Sequence, residues 1–179
     1  MNKLEIFFRY FIEYENYKIV LIGLRNTLVI AICGLLIGIV VGSVVAAFKV
    51  AGTRSRVAKA VSYVGDAYTG IFRGTPIIVQ LIVFHYVILR GSGINPLLEA
   101  VLVFGLNSGA YVAEIMRGGI LSVDVGQLEA GRTLGLSYGT TMLRVVIPQA
   151  IKNVVPTLGN ELIALTKDTS VAGYVATMD

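Results

Sequence analysis

Asn26–Phe48, NTLVIAICGLLIGIVVGSVVAAF, runs for 23 residues without a charge. As an α-helix rising 1.5 Å per residue it is roughly 35 Å long, enough to cross a hydrocarbon core of about 30 Å. Gly34, Gly38, Gly42 and Ala46 recur at every fourth position. On a helix this spacing draws one smooth stripe that a second helix can approach closely. The bulk composition agrees with an all-α protein of the bilayer. Of 179 residues 55% are hydrophobic and 15% charged, and the mean hydropathy is +0.77. Soluble domains carry about 25% charged residues, so too little material remains for a wetted surface. Such hydrophobicity also excludes a disordered chain. The net charge of +4 calls for no nucleic acid, and the single Cys33 excludes an internal disulfide or a multi-cysteine metal site.

Before this span, MNKLEIFFRYFIEYENYK interrupts its apolar residues with Glu5, Arg9, Glu13 and Glu15, unlike a secretory signal. Phe7, Tyr10, Phe11, Tyr14 and Tyr17 recur at helical spacing. Aromatic rings favour the headgroup region, which predicts an amphipathic interfacial helix over 1–19; a helix packed on a partner protein meets the same spacing. Three shorter spans follow within the membrane unit, 20–179. Thr75–Leu89 opens with Pro76, Leu97–Met116 contains Glu99 and Glu114, and Val154–Thr166 contains Pro156, Gly159 and Glu161. Interrupted spans are tolerated only where protein or a water-filled cavity surrounds them, which favours a solute pathway over an anchor. Basic residues Lys49, Arg54, Arg56 and Lys59 follow the first span, and Arg117, Arg132, Arg144 and Lys152 flank the segment between the third and fourth. The positive-inside rule makes both regions cytoplasmic and puts the N-terminus and the Gly91–Asn95 loop outside. Lys3, Arg9, Lys18 and Arg25 in the tail oppose that count.

Residues 117–152 form the one long stretch between spans. Asp124 with Gln127 reads as a capping box starting a helix over Val125–Leu134, with Gly135 as its left-handed stop. Ser137 caps a second helix through Arg144 to Val146, which Pro148 is expected to break. This two-helix knob has no core of its own. Leu128, Leu134, Leu136, Met142 and Leu143 therefore need either a partner surface or the bilayer interface.

Glu129-Ala130-Gly131, three residues, Gly135, nine residues and Val145-Val146-Ile147-Pro148 resemble the EAA loop of ABC importer permeases, with Gly in place of the third residue, Ala, and mild changes before the Pro. Phe72-Arg73-Gly74-Thr75-Pro76, Leu106 to Glu114, Arg117-Gly118-Gly119-Ile120, Leu158-Gly159-Asn160-Glu161-Leu162 and Lys167-Asp168-Thr169-Ser170 resemble the polar amino-acid branch of that family. The resemblance implies a type-1 permease fold, a multi-span helical bundle in the bacterial inner membrane with its EAA loop as a cytoplasmic coupling helix. It implies as partners an ATPase dimer, a second permease copy or paralogue and an extracytoplasmic amino-acid-binding protein. It further implies a membrane helix after the segment equivalent to Val171–Asp179, so that four of five spans are expected here. No G-x-x-x-x-G-K-[ST] loop is present in the sequence. No cofactor is expected in this chain, and ATP and Mg belong to the partner ATPase.

Coupling to that ATPase falls on Glu129, Ala130, Gly131, Leu134, Gly135 and Pro148. Solute contact falls on polar residues within spans, where charge is costly and usually functional. Thr157 and Glu161 share a helix face with Ala164 and Asp168, and Asn160 adjoins Glu161. Their carboxylate and amide suit an α-ammonium or a cationic side chain, although Glu161 can equally tie helices together. Asn107 and Tyr111 form a second stripe with Glu114, for which an exposed pair with Arg117 is the simpler reading. Gln80 is a pathway candidate. His85 reads as a packing residue, and Arg73 as an anchor at the interface. A passive channel or scaffold satisfies the same hydropathy but leaves the knob unexplained, and an enzyme lacks a nucleophile, metal or acid–base constellation.

Overall fold

A computed structural model describes residues 2–51 and 56–172, all helices and turns, with no strand among them. Helix α1, Lys3–Phe8, runs on through a π-turn at Arg9–Glu13, with Phe7 stacked on Phe11. A turn with Glu15 at φ 54° separates it from α2, Tyr17–Ala51. Tyr17 thus opens α2 rather than continuing the N-terminal helix.

The core is the embrace of α2 and α5, Pro96–Leu121. Gly34, Gly38 and Gly42 lie opposite Phe104, Ser108 and Val112 in that order, so the two helices run in the same direction. The fit is reciprocal, because Gly105 receives Ile37 and Gly109 receives Val41. Missing side chains on both helices let the backbones meet, as the four-residue spacing predicts. Ala46 continues the stripe and is buried.

Between them the chain returns through α3, Arg56–Gly74, and α4, Ile77–Val83, which continues as a π-turn over Phe84–Ile88. The run of Arg54, Arg56 and Lys59 after the first span predicts a basic loop at the start of α3. Arg56 and Lys59 instead enter an amphipathic helix, which a search for apolar runs passes over; Arg54 lies outside the described residues. The axis bends by 105° between α3 and α4. Pro76 has no N–H to continue a helix and forces the residue before it out of helical geometry.

After α5 come α6, Val125–Thr133, then α7, Tyr138–Thr141, a π-turn at Met142–Val146, and α8, Ile147–Asp168. The three caps form, but the reciprocal box does not: Asp124 caps alone, and the Gln127 side chain accepts from Gln149 Nε2 instead. Asp124 accepts from Gly126 N at 2.6 Å, Ser137 accepts from Thr140 N at 3.1 Å, and Gly135 has φ +82°. Pro148, in contrast, does not break the helix. The π-turn sits immediately before it and widens the backbone where the ring would strike the carbonyl of Arg144.

Helix α8 runs antiparallel to α5. Gly119 lies against Ala150 and Val154 at one end, and Leu165 joins the cluster of Ile30, Ala31, Val101 and Phe104 at the other. Among the described residues, 17–50 and 96–121 are long and apolar enough to cross a membrane, and 59–74 with 77–88 reach that length and hydropathy only together, as a pair bent by 105°. The fourth expected span corresponds to α8, which carries Lys152, Glu161, Lys167 and Asp168 and falls short by composition. Any helix after 172 lies outside the described residues.

Candidate functional site

The polar residues within the bundle gather in separate places. Beside the α3–α4 break, Gln80 is buried and its Nε2 donates to the carbonyls of Phe72 and Thr75, both at 2.8 Å. Asn107 Nδ2 donates to Gln80 Oε1 at 3.2 Å and to Phe72 O at 3.3 Å. A sharp break frees carbonyls that water cannot reach in a membrane, and these two amides satisfy them. Gln80 and Asn107 are therefore braces for the break as much as they are pathway candidates. Tyr111 is partly exposed one turn further along, with the Arg73 guanidinium 5.3 Å above its ring. Arg73 thus anchors to an aromatic face rather than standing alone.

The second group lies on α8. Glu161 is half-buried, and its Oε1 accepts from Ser108 Oγ at 3.0 Å. Ser108 is fully buried and faces the Gly38 notch. The smooth stripe of α2 thereby seats the serine that holds the carboxylate. Asn160 and Thr157 are exposed. Thr157 lines a groove of about 400 Å³ between α5 and α8, together with Glu114, Gly118, Gly119, Ser122 and Asn153. Among the described residues no hydrogen bond joins the Glu161 group to the Gln80 group.

Glu114 does more than its sequence spacing indicated. Arg117 does pair with it, through Nε at 3.0 Å and Nη2 at 2.9 Å. The other carboxylate oxygen, however, meets Lys49, which reaches in from the end of α2. Lys49 also bonds Asp66 Oδ1 at 2.8 Å and Thr69 Oγ1 at 3.1 Å, with only 8% of its side chain exposed. Read as an orientation charge in the sequence, Lys49 ties α2, α3 and α5 together. Its partners are 17 to 65 residues away, too far for helical periodicity to reveal. His85 likewise finds a distant partner, with Nδ1 3.0 Å from Glu99 Oε2.

At the end of the bundle marked by Lys49 and Arg117, α6 and α7 form the knob. Gly131 is buried against Thr141, and a β-carbon there would lie 2.9 Å from Thr141 Oγ1 and closer still to its Cγ2. The Gly that departs from the third position of the EAA pattern is the residue that lets the two short helices close. Glu129 and Ala130 are exposed, as are Pro148 and Leu134, the last at 81%. Leu143 and Val125 join this exposed apolar surface, whereas Leu128 and Met142 are half-buried within the knob.

Residues 34–178 match the family described as the binding-protein-dependent transport system inner membrane component. The chain is 38% identical to the arginine transport system permease protein ArtQ of Bacillus subtilis (strain 168), over 89% of this chain and 72% of that protein. It is 36% identical to the putative glutamine transport system permease protein GlnP of Rickettsia bellii, over 96% of this chain and 78% of that one. Among solved structures, an amino acid ABC transporter with histidines superposes with a TM-score of 0.80 at 37% identity, covering 93% of this chain and 76% of its own. An inward-facing form of the MetNI methionine ABC transporter shares the fold, with a TM-score of 0.75 at 23% identity over 87% of this chain and 73% of that one.

Proposed function

From the premise that this chain belongs to the binding-protein-dependent transport system inner membrane component family, and to its polar amino-acid ABC permeases, we propose how the bundle carries solute and receives energy. The chain is a membrane subunit of an ATP-driven importer of polar amino acids, and a separate ATPase subunit hydrolyses the ATP. The relatives are named for arginine and glutamine; the solute here is a polar amino acid of the same class. An ATPase and a substrate-binding protein accompany such a subunit. The finer assembly is an ATPase dimer, a second permease copy or paralogue and an extracytoplasmic binding protein. The knob end faces the cytoplasm and the 91–95 loop faces the binding protein. The ATPase, not this chain, holds ATP and Mg.

The observation that carries this reading is the knob: two capped helices locked by Gly131 and Thr141, exposing Leu134, Leu143 and Val125 where no other described residue covers them. A rigid apolar surface of this kind suits a groove on another protein better than solvent. The Glu161 carboxylate, positioned by Ser108, receives the ammonium or cationic side chain of the solute, with Asn160 and Thr157 beside it. Movement of the knobs, driven by the ATPases, then alternates the side from which this carboxylate is reached.

The test is reconstitution in proteoliposomes with the ATPase and the binding protein. Gly135→Pro demands a negative φ where the chain needs +82°, and Glu129→Lys reverses an exposed charge. Each should leave insertion and basal ATP hydrolysis in place and abolish uptake. Undiminished uptake by both variants refutes the coupling role.

A further inference from the structure

At the end of the bundle opposite the knob, a pocket of about 490 Å³ opens between α4, the 91–95 loop and the start of α5. Glu99, His85, Arg90, Ser92 and Tyr86 line it. Glu99 is the buried member, with 6% of its surface exposed. One carboxyl oxygen, Oε2, is held by His85 Nδ1 at 3.0 Å. The other, Oε1, is buried and has no hydrogen-bond partner among the described residues. Buried polar atoms in proteins nearly always have partners, and an exception asks for a missing donor. An acceptor on a carboxyl group calls for a cationic or N–H-rich donor, and an ammonium is the most compact one. Arg90 is on the same lining and offers a planar fork suited to a carboxylate. An acidic and a guanidinium group on one pocket wall complement a zwitterion rather than a simple cation. The volume falls in the range of small-molecule sites.

We propose that this pocket is a second amino-acid station, separate from Glu161, in which Glu99 takes the α-ammonium and Arg90 the α-carboxylate. His85 is a positioning residue that fixes the Glu99 carboxyl by its hydrogen bond. The station recognises the groups shared by all amino acids and leaves side-chain selection to other parts of the assembly. It rests on the amino-acid importer reading for its place on the solute route, but its binding is measurable without transport.

The experiment uses the assembled transporter in lipid nanodiscs without binding protein, in a Cys33→Ser background carrying Ser92→Cys on the pocket wall. Labelling of that thiol by a charged methanethiosulfonate is followed with L-glutamine or L-arginine present. Each amino acid, at about ten times its half-protecting concentration, should slow labelling about tenfold. N-acetyl-L-glutamine and L-glutaminamide, lacking the ammonium and the carboxylate, should protect far less. Adding Glu99→Gln should abolish protection, each rate being scored against the same variant's own unprotected rate, and Glu99→Asp should restore part of it. Absence of protection by both amino acids, or equal protection in Glu99→Gln, overturns the proposal. ATP-driven uptake by the unsubstituted complex is measured in parallel. Its absence counts against the importer reading alone, since protection is scored in a preparation that does not need to transport.

Discussion

Gly131→Ala adds one methyl group to the knob, and its effect follows from the packing around that position. The new β-carbon would meet Thr141 at Oγ1, 2.9 Å away, at Cβ, 3.2 Å away, and most severely at Cγ2. Thr141 is fully buried, β-branched and tied through Oγ1 to Ser137 O at 3.0 Å, so it has no easy rotamer to escape into. Overpacking a tight contact costs about 1–3 kcal/mol, which opens a local equilibrium about 5- to 150-fold. The nine-residue α6 cannot absorb this alone, because helices shorter than about 12 residues are marginal without tertiary support. Thr141→Ala by itself loses one hydrogen bond and costs about 1 kcal/mol, but it removes both the Cγ2 and Oγ1 obstacles. The double variant should therefore be more stable than Gly131→Ala alone, with a coupling of about 1–2 kcal/mol in its favour. Backbone hydrogen exchange of α6 in the nanodisc-embedded complex measures all four proteins, and ATP-driven uptake should follow the same order. Wild-type exchange in Gly131→Ala, or strict additivity in the double variant, refutes the reasoning.

Two further predictions concern the frame. Lys49→Met should destabilise the junction of α2, α3 and α5 by about 1.5–3 kcal/mol, the worth of a charged hydrogen bond, because one Glu114 oxygen loses its partner while Arg117 still holds the other. Adding Glu114→Gln should recover part of that loss, and thermal inactivation of the purified complex reads both; a double variant no better than the single one contradicts a direct pair. Along the α2 stripe, Gly→Ala should hurt in the order Gly42, Gly38, Gly34. A β-carbon meets Val112 at 2.7 Å and the Ala113 backbone at 2.8 Å in the first, Ser108 Oγ at 2.7 Å in the second, and only an ordinary 3.4 Å contact with Phe104 in the third. Gly23, with nothing within 4 Å, is the control, and a different order in a melting series would show that α2 and α5 pack otherwise.

What the sequence made legible was local or periodic. The Gly34–Gly38–Gly42–Ala46 stripe repeats at the helix period, so the face it forms is readable before its partner is known. The caps at Asp124, Gly135 and Ser137 act within four residues of themselves. Where the reading fell short, the deciding partner was distant or the signal was of the wrong kind. Lys49 looks like an orientation charge until α5 brings Glu114 to it across 65 residues. Gln80 looks like a pathway residue until the Pro76 break leaves the carbonyls of Phe72 and Thr75 for it to satisfy. Helix α3 is not legible as an apolar run, because its charges recur on one face of an amphipathic helix. Pro148 reads as a stop because a regular helix cannot accept it, but a π-turn supplies the space.

That π-turn bears on how the knob reaches the pathway. Helix α8 leaves it at Ile147 and arrives at Glu161 about 21 Å later at 1.5 Å per residue. One continuous helix thus joins the surface proposed for the ATPase to the carboxylate proposed for solute, and coupling needs such an element with two arrangements. The α2–α5 interlock is a poor candidate for movement, since opposed glycines bring those backbones together along three successive turns. The face of α8 is different: it meets α5 tightly at Gly119, keeps a groove of about 400 Å³ beside Thr157, and touches Ser108 through a single carboxylate hydrogen bond. Pro156 lies between those points and removes the helical bond to the Lys152 carbonyl, which weakens α8 where it would have to bend. The static frame and the moving lever are then distinguished by their packing, and the hydrogen bond from Ser108 to Glu161 is the contact that a moving α8 must break or remake.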